Sequence, residues 1–388
     1  MNSTPSSNRT QIGFFGLRNA GKSSLVNAIT NQEISVVSDT AGTTTDPVTK
    51  AMELLPLGPV VIIDTPGFDD IGELGEKRVK KTKEILAKTD IALLVCEAGR
   101  ELLAQETEMI ELFKEKNIPY LIVRSKADLF DNYEARENEI AVSAETGKGI
   151  EELKEKIASF GESRSEPFLI SDLVEEGDVA LLVVPIDKSA PKGRLILPQQ
   201  MVIRDLLDAG ASAFVTKDTT YKETLDSLLK KPSIVVCDSQ VFGKISQQTP
   251  NDIRLTSFSI LMARMKGFLH TAVCGAKKIA DLKDGDKILV CEGCTHHRQC
   301  EDIGTVKLPA WIKEYTKADV EFEFTSGSAF PDDLSSYSLI IHCGGCMITE
   351  KEVQHRMKRA IDENIPFTNY GTAIAFIKGI LDRSIEMF

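Results

Sequence analysis

Two groups of residues in this chain have the types and spacing that chemistry requires. Near the N-terminus runs Gly16-Leu17-Arg18-Asn19-Ala20-Gly21-Lys22-Ser23, a glycine-bounded loop that ends in Lys and Ser. Six of the eight cysteines fall between Cys274 and Cys346, with three of the five histidines among them. The dense part is Cys294-Thr295-His296, then 45 residues, then His342-Cys343-Gly344-Gly345-Cys346. The first group can cradle phosphates and the second can hold a soft metal. Their pairing suggests a metal cofactor handled under nucleotide control.

The phosphate loop has the right context, because an apolar strand ends at Phe15 and an amphipathic helix opens at Lys22. Gly16 and Gly21 let backbone N–H groups wrap phosphates at a helix N-terminus. Lys22 would reach the β- and γ-phosphates, and Ser23, beside Ser24, would ligate Mg²⁺. Asp64-Thr65-Pro66-Gly67 follows at a strand end, where Asp64 can hold Mg²⁺ and the Gly67 amide can meet the γ-phosphate. Ser125-Lys126-Ala127-Asp128 and Ser143-Ala144 come later, again at strand ends, where a base would be read.

At the other site, Cys291-x-x-Cys294 and Cys343-x-x-Cys346 have by spacing alone the form of a four-cysteine zinc site. Zinc ribbons place such pairs on tight hairpins, whereas here each group follows a strand of an α/β unit. Both then lie at the carboxyl edge of one parallel sheet, where open α/β folds place ligands. Gly344 and Gly345 let backbone N–H groups approach sulfur, and a helix beginning near Thr349 favours thiolates. These features suit an iron–sulfur cluster.

Apolar, β-branched runs alternate with amphipathic runs throughout, which predicts an α/β fold of three consecutive units. The first, residues 1–160 with a disordered lead at 1–9, has strands at Gln11–Gly16, Ala51–Leu57, Val60–Asp64, Ile91–Cys96 and Tyr120–Arg124, with a helix over Gln105–Lys116. A polar linker spans 161–168, overlapping the Gly/Ser-rich stretch 159–167. The second unit, 169–266, has strands at Ala180–Pro185, Ala213–Thr216 and Ser233–Cys237 and helices at Gln199–Ala209 and Tyr221–Lys230. The third, 267–388, has strands at Lys287–Val290, Val320–Phe324 and Leu339–His342 and helices at Glu350–Glu363 and Ala373–Asp382. The first unit is a P-loop nucleotide domain and the last carries the metal motif.

Composition narrows the class. The chain has 388 residues, a net charge of −12, 42% apolar residues and 27% charged ones. It has no basic run to neutralise phosphates, which argues against nucleic acid as a partner. No stretch approaches the ~20 apolar residues of a membrane span, and the start reads as no signal peptide. A cytoplasmic protein is expected, in which clustered thiols serve metal or redox chemistry rather than disulfides.

The order of the nucleotide motifs resembles the small GTPases, in which Asn-Lys-x-Asp reads guanine. Asp128 matches, and Ser125 stands where Asn is usual. Ala41-Gly42-Thr43-Thr44-Thr45-Asp46 resembles the switch of the TrmE-type GTPases. That resemblance implies GTP with Mg²⁺, a K⁺ ion held by Asn19, and Thr44 as the Mg²⁺-sensing threonine, with Thr43 and Thr45 as neighbours. Phe68 stands where Ras-like enzymes carry a water-orienting Gln, which implies slow intrinsic hydrolysis.

Cys294-Thr295-His296…His342-Cys343-Gly344-Gly345-Cys346 behind such a domain resembles the HydF family of FeFe-hydrogenase maturation GTPases. Lys192-Gly193-Arg194-Leu195-Ile196-Leu197-Pro198-Gln199-Gln200 is similar to a string of that family. The resemblance covers essentially the whole chain. It implies a homodimer through the middle domain and a [4Fe-4S] cluster on Cys294, Cys343 and Cys346. It also implies a scaffold that receives a transient di-iron subcluster and passes it to apo-FeFe-hydrogenase, alongside radical-SAM hydrogenase maturases. A labile fourth ligand suits a scaffold, and His296 and His342 are the candidates. The competing readings are a GTP-dependent tRNA-modifying enzyme and a regulatory GTPase with a structural zinc domain.

Overall fold

The computed structural model describes residues 9–31, 48–65, 67, 82, 85–130, 133, 135–136, 138–162, 168–186, 195–293, 303–327 and 329–388. The chain divides into two compact units, Met1–Ser165 and Glu166–Phe388. The second and third units of the sequence reading are thus two sheets inside one compact unit. Among the described residues no helix is long and apolar enough to cross a membrane.

The first unit is built on β1 (Thr10–Phe15), β2 (Val48–Leu54), β3 (Gly58–Asp64), β4 (Ile91–Glu97), β5 (Tyr120–Ser125) and β6 (Glu139–Ala141). Their order is β2-β3-β1-β4-β5-β6, and only β2 runs antiparallel to its neighbour. The central strands are nearly continuous apolar runs because both faces are covered. Leu93 and Val95 pack on one side with Leu25, Val26 and Leu153, while Leu94 and Cys96 pack on the other with Met109 and Phe113. The chain leaves β1 for β3 on one side and for β4 on the other. The carboxyl ends of β1 and β4 therefore flank a topological switch point, where such sheets bind ligands. Helix α1 (Lys22–Thr30) starts there.

In the second unit one parallel sheet has β7 (Val179–Val183), β8 (Ser212–Thr216), β9 (Ile234–Cys237) and β10 (Arg254–Ser257), ordered β10-β9-β7-β8. The other has β11 (Lys287–Glu292), β12 (Glu321–Ser326), β13 (Leu339–His342) and β14 (Phe367–Asn369), ordered β12-β11-β13-β14. Here the switch point lies between β11 and β13, whose register pairs Cys291 with His342. Helix Phe258–Met265 closes the first sheet's segment, and helix Tyr370–Ile377 packs on it. A Cβ at Gly371 would lie 2.9 Å from the Ser259 Cβ and 3.0 Å from the Ile260 N, so only glycine permits this approach. Helix Leu381–Ile385 then returns to the first sheet, where the Arg383 guanidinium donates to the carbonyls of Ser246 (3.1 Å), Thr249 (3.0 Å) and Pro250 (2.7 Å).

Three differences from the sequence reading have physical causes. The strands β6, β10 and β14 were not anticipated. All three are sheet edges of three or four residues, too short to show a periodicity. The helix expected over Ala373–Asp382 is two helices, Tyr370–Ile377 and Leu381–Ile385, separated at Gly379 with φ 69°. The helix Ile150–Glu162 runs into the expected linker, held by the buried Ile150, Leu153 and Ile157 and by Phe160 against the same core.

Candidate functional site

The phosphate loop sits where β1 meets β4. A Cβ at Gly16 would lie 2.4 Å from the Val95 carbonyl oxygen, so the loop can leave the sheet only with glycine there. Asn19 has φ 60°, a left-handed conformation that Asn tolerates, and its side chain is exposed. Lys22 is buried, and its ammonium donates to the carbonyls of Gly16 (2.9 Å) and Leu17 (2.7 Å). Its charge is thereby held inside the loop's concavity, where phosphates would sit.

The register of β1 on β3 sets Phe14 opposite Asp64. The Thr65 hydroxyl and N–H both donate to the Phe14 carbonyl, at 2.6 and 3.2 Å, and fasten the Asp64 turn beside the loop. The Ser23 hydroxyl donates to Asp64 Oδ2 at 2.7 Å. A hydroxyl and a carboxylate in contact at a helix N-terminus make an oxygen-donor pair suited to Mg²⁺. Ser24 follows on the helix, half-buried, and Gly67 is half-buried beyond the turn. Thr43, Thr44 and Thr45 and the rest of the switch motif lie outside the described residues, as does Phe68.

At the base-reading end, Ser125 turns its hydroxyl to the Ala20 carbonyl at 2.6 Å and to the Cys96 carbonyl at 3.2 Å. The residue that replaces the usual Asn thus ties the phosphate loop to β4 and β5. Lys126 has φ 56°, and its ammonium pairs with Glu97. Asp128 is exposed in the short 3-10 turn Ala127–Leu129. Ser143 is fully buried, with its hydroxyl accepting from the Thr146 N–H at 3.1 Å, and Ala144 is half-buried next to it. The Ala127 N–H donates to the Val142 carbonyl at 3.1 Å, which brings the two base-reading segments together.

In the second unit, the carboxyl ends of β11 and β13 bring Gly293 beside Cys343. The Gly293 N–H donates to Cys343 Sγ at 3.0 Å, and the Gly345 N–H donates to the same sulfur at 3.3 Å. Burial holds the Cys343 thiol above its ordinary value, and these two amides offset part of that rise. Cys346 follows, half-buried against the core of the preceding sheet. Helix Glu350–Asp362 begins just after, with Thr349 as N-cap accepting from the Glu352 N–H at 3.3 Å. Cys294 and His296 lie outside the described residues, and among the described ones no set of three ligands assembles.

His342 is placed differently from a labile ligand. It is fully buried, with ring Nδ1 2.8 Å from the Cys343 carbonyl and Nε2 3.2 Å from Arg356 Nη1. Guanidinium offers only donors, so Nε2 accepts and Nδ1 carries the proton donated to the carbonyl. Burial, reinforced by the Arg356 charge, pulls the ring down to about 3. As folded, neither ring nitrogen is open to a metal. Arg356 is itself held by Glu352 Oε1 (3.0 and 2.8 Å) and by the Gly327 carbonyl (2.8 Å).

Cys291, which a four-cysteine zinc site would need, is a core residue with no exposure. Burial pushes its thiol up to about 12, against the neighbouring Thr325 hydroxyl and the Arg356 charge. Cys96 and Cys237 are buried core thiols, whereas Cys274 is exposed on helix Leu269–Lys277. The sequence reading also passed over Lys266, which is 2% exposed beside the motif. Its ammonium donates to the Ile348 carbonyl. Burial pulls it down to about 8, against the thiols of Cys346 and Cys343 and the Glu350 carboxylate. A lysine directly after an apolar helix face was the signal available.

The fold and the loop define a P-loop GTPase-type domain followed by two further α/β sheets. Residues 11–126 match the family model of the 50S ribosome-binding GTPases. Residues 169–267 match the hydrogen maturase F dimerization domain, and residues 270–387 match the hydrogen maturase F tetramerization domain. The chain belongs to the hydrogen maturase F family, with a G domain of the TrmE type. Curated relatives include the tRNA modification GTPase MnmE of Endomicrobium trichonymphae, 34% identical over 177 residues, or 42% of this chain and 38% of that protein. The Aquifex aeolicus MnmE is 34% identical over 152 residues, or 38% of this chain and 33% of that protein. The chain thus spans little more than a third of the length of these relatives. Among solved structures, Aquifex aeolicus Era bound to GDP·AlF₄⁻ is 18% identical, with a TM-score of 0.35 over 53% of this chain and 92% of that one.

Proposed function

We propose that this hydrogenase-maturation GTPase hydrolyses GTP with Mg²⁺ and K⁺, holds a [4Fe-4S] cluster, and carries a di-iron subcluster to apo-FeFe-hydrogenase. The observation that carries the reading is Cys343, a thiol at the switch point of a parallel sheet that accepts two backbone N–H bonds in a chain of this family. Two amides aimed at sulfur stabilise its anionic form, which is the form that binds a metal. Cys294, Cys343 and Cys346 are the proposed ligands, and the bound cluster would offer an iron site at which the incoming fragment is held. His296 remains the candidate for the labile position, and His342 takes a supporting place behind Cys343. Anaerobic reconstitution with iron and sulfide, read by optical and EPR spectra, tests this. Stoichiometric zinc with no iron uptake would instead establish a regulatory GTPase with a structural zinc domain.

For the nucleotide, Lys22 and the loop amides bind the phosphates, Ser23 with Asp64 behind it holds Mg²⁺, and the Gly67 amide meets the γ-phosphate. Thr44 closes over the metal, and Lys126, Asp128, Ser143 and Ala144 read guanine. Asn19, exposed at the loop's apex, holds K⁺ against charge that develops on the transferred phosphoryl group. GTP hydrolysis is expected to run about tenfold faster in K⁺ than in Na⁺ at matched ionic strength, an effect on transition-state charge. Equal rates in a steady-state phosphate-release assay would remove the K⁺ assignment and leave the GTPase one.

Self-association through the middle domain has support in the fold. Among the described residues β8 pairs only with β7, so it is an edge strand, and Phe214 (44% exposed) and Val215 (49%) lie on it. An edge with exposed apolar side chains invites a further strand, here from a second copy. The double change Phe214→Glu, Val215→Lys is expected to weaken the dimer about a hundredfold, a size typical of interface-centre residues. Sedimentation at micromolar concentration should then show monomer. An unchanged dimer would move the interface elsewhere.

A further inference from the structure

We infer that Lys266, contributed by the segment that matches the dimerization domain, is a charge-compensating and positioning residue of the cluster site. The inference rests on the cluster reading above. Helix Phe258–Met265 of that segment forms a wall of the Gly344–Cys346 loop. A Cβ at Gly344 would lie 3.7 Å from Ser259 Oγ and 3.9 Å from the Met262 side chain, and Cys346 packs against the core that contains Met262. Lys266 caps this helix, its N–H donating to the Met262 carbonyl at 3.1 Å. Its ammonium reaches the Ile348 carbonyl, two residues beyond Cys346, and so fastens the ligand loop to the neighbouring sheet's last helix.

Fastening needs only a neutral donor, whereas this position carries a buried ammonium. Burying a charge is costly unless an anion faces it. Among the described residues, the acidic groups whose charged forms favour the ammonium are the thiols of Cys346 and Cys343 and the Glu350 carboxylate; Glu350 is exposed to solvent, and the thiols become anionic on binding a metal. Arg356, the other buried cation near the motif among the described residues, already has Glu352 as its partner. The sulfurs are therefore the groups that justify the lysine. A cluster bound through thiolates is anionic, and a fixed positive charge beside it favours the reduced state.

The test compares the full-length protein with Lys266→Met and Lys266→Arg, each reconstituted anaerobically and titrated by EPR-monitored redox potentiometry. In Lys266→Met the reduction equilibrium should shift about tenfold toward the oxidised cluster, which for one electron is about 59 mV more negative. Lys266→Arg should keep the parent potential. Loss of the cluster in Lys266→Met with retention at the parent potential in Lys266→Arg equally supports a need for charge. An unchanged potential in Lys266→Met, or equal loss of the cluster in both variants, overturns the inference and leaves Lys266 a packing residue. If the parent protein itself takes up no iron, the cluster reading fails first.

Discussion

Replacing Lys22 with Ala is expected to lower kcat for GTP hydrolysis by about a thousandfold, the scale of losing a preorganised charge at the transferred phosphoryl group. Lys22 is already placed for that task. Its ammonium sits inside the phosphate loop on the Gly16 and Leu17 carbonyls at 2.9 and 2.7 Å, with the side chain only 7% exposed. Nucleotide entry exchanges these neutral acceptors for charged phosphate oxygens, a stronger partner. Alanine removes the charge and leaves the loop without the donor that holds it from within, so GTP affinity should fall together with kcat. Ser23→Ala is the graded comparison. It deletes one proposed Mg²⁺ ligand and the 2.7 Å contact to Asp64 but leaves the lysine in place, so raised Mg²⁺ should restore part of its activity. Single-turnover hydrolysis in Lys22→Ala within tenfold of the parent would show that the loop is not the phosphate site.

That both motifs follow the ends of strands was legible, because strand ends are. Ile91–Glu97 and Leu339–His342 are apolar runs bounded by polar turns, and the residues that follow such runs must lie at a carboxyl edge. Edges of sheets were not legible. Glu139–Ala141 and Phe367–Asn369 have three residues each, and their partners rather than their composition make them strands. The role of His342 was also hidden. Its position beside Cys343 suggests a ligand, but its ring is fixed by Arg356, which arrives from a helix that begins eight residues later. The signal lay in Glu352 and Arg356, an i,i+4 ion pair on a face that also buries Val353 and Ala360. Charge placed on an apolar face points to buried partners, and the Arg356 guanidinium reaches the histidine as well as Glu352. Ser125, which stands where Asn is usual, is a similar case: it makes two hydrogen bonds that join loop and sheet.

Cys343→Ser is expected to abolish the proposed cluster, taking iron after anaerobic reconstitution from about four atoms per chain to below about one. Serine keeps the shape but not the chemistry. Its hydroxyl remains protonated at neutral pH and is a hard ligand, whereas the irons of such clusters favour soft thiolate. The two amides that now point at Sγ, from Gly293 at 3.0 Å and Gly345 at 3.3 Å, would instead bond a neutral oxygen and reward no anion. Cys346→Ser should act in the same direction, because it removes another of the proposed thiolate ligands. Cys291→Ser provides the contrast. Its thiol is fully buried in the core and held protonated, so the change should lower stability through an added buried polar group while the cluster still forms. GTP hydrolysis should persist in all three, since the phosphate loop lies in the other compact unit. Full iron incorporation in Cys343→Ser, with an EPR signal equal to that of the parent, would place the metal somewhere other than the β11–β13 switch point.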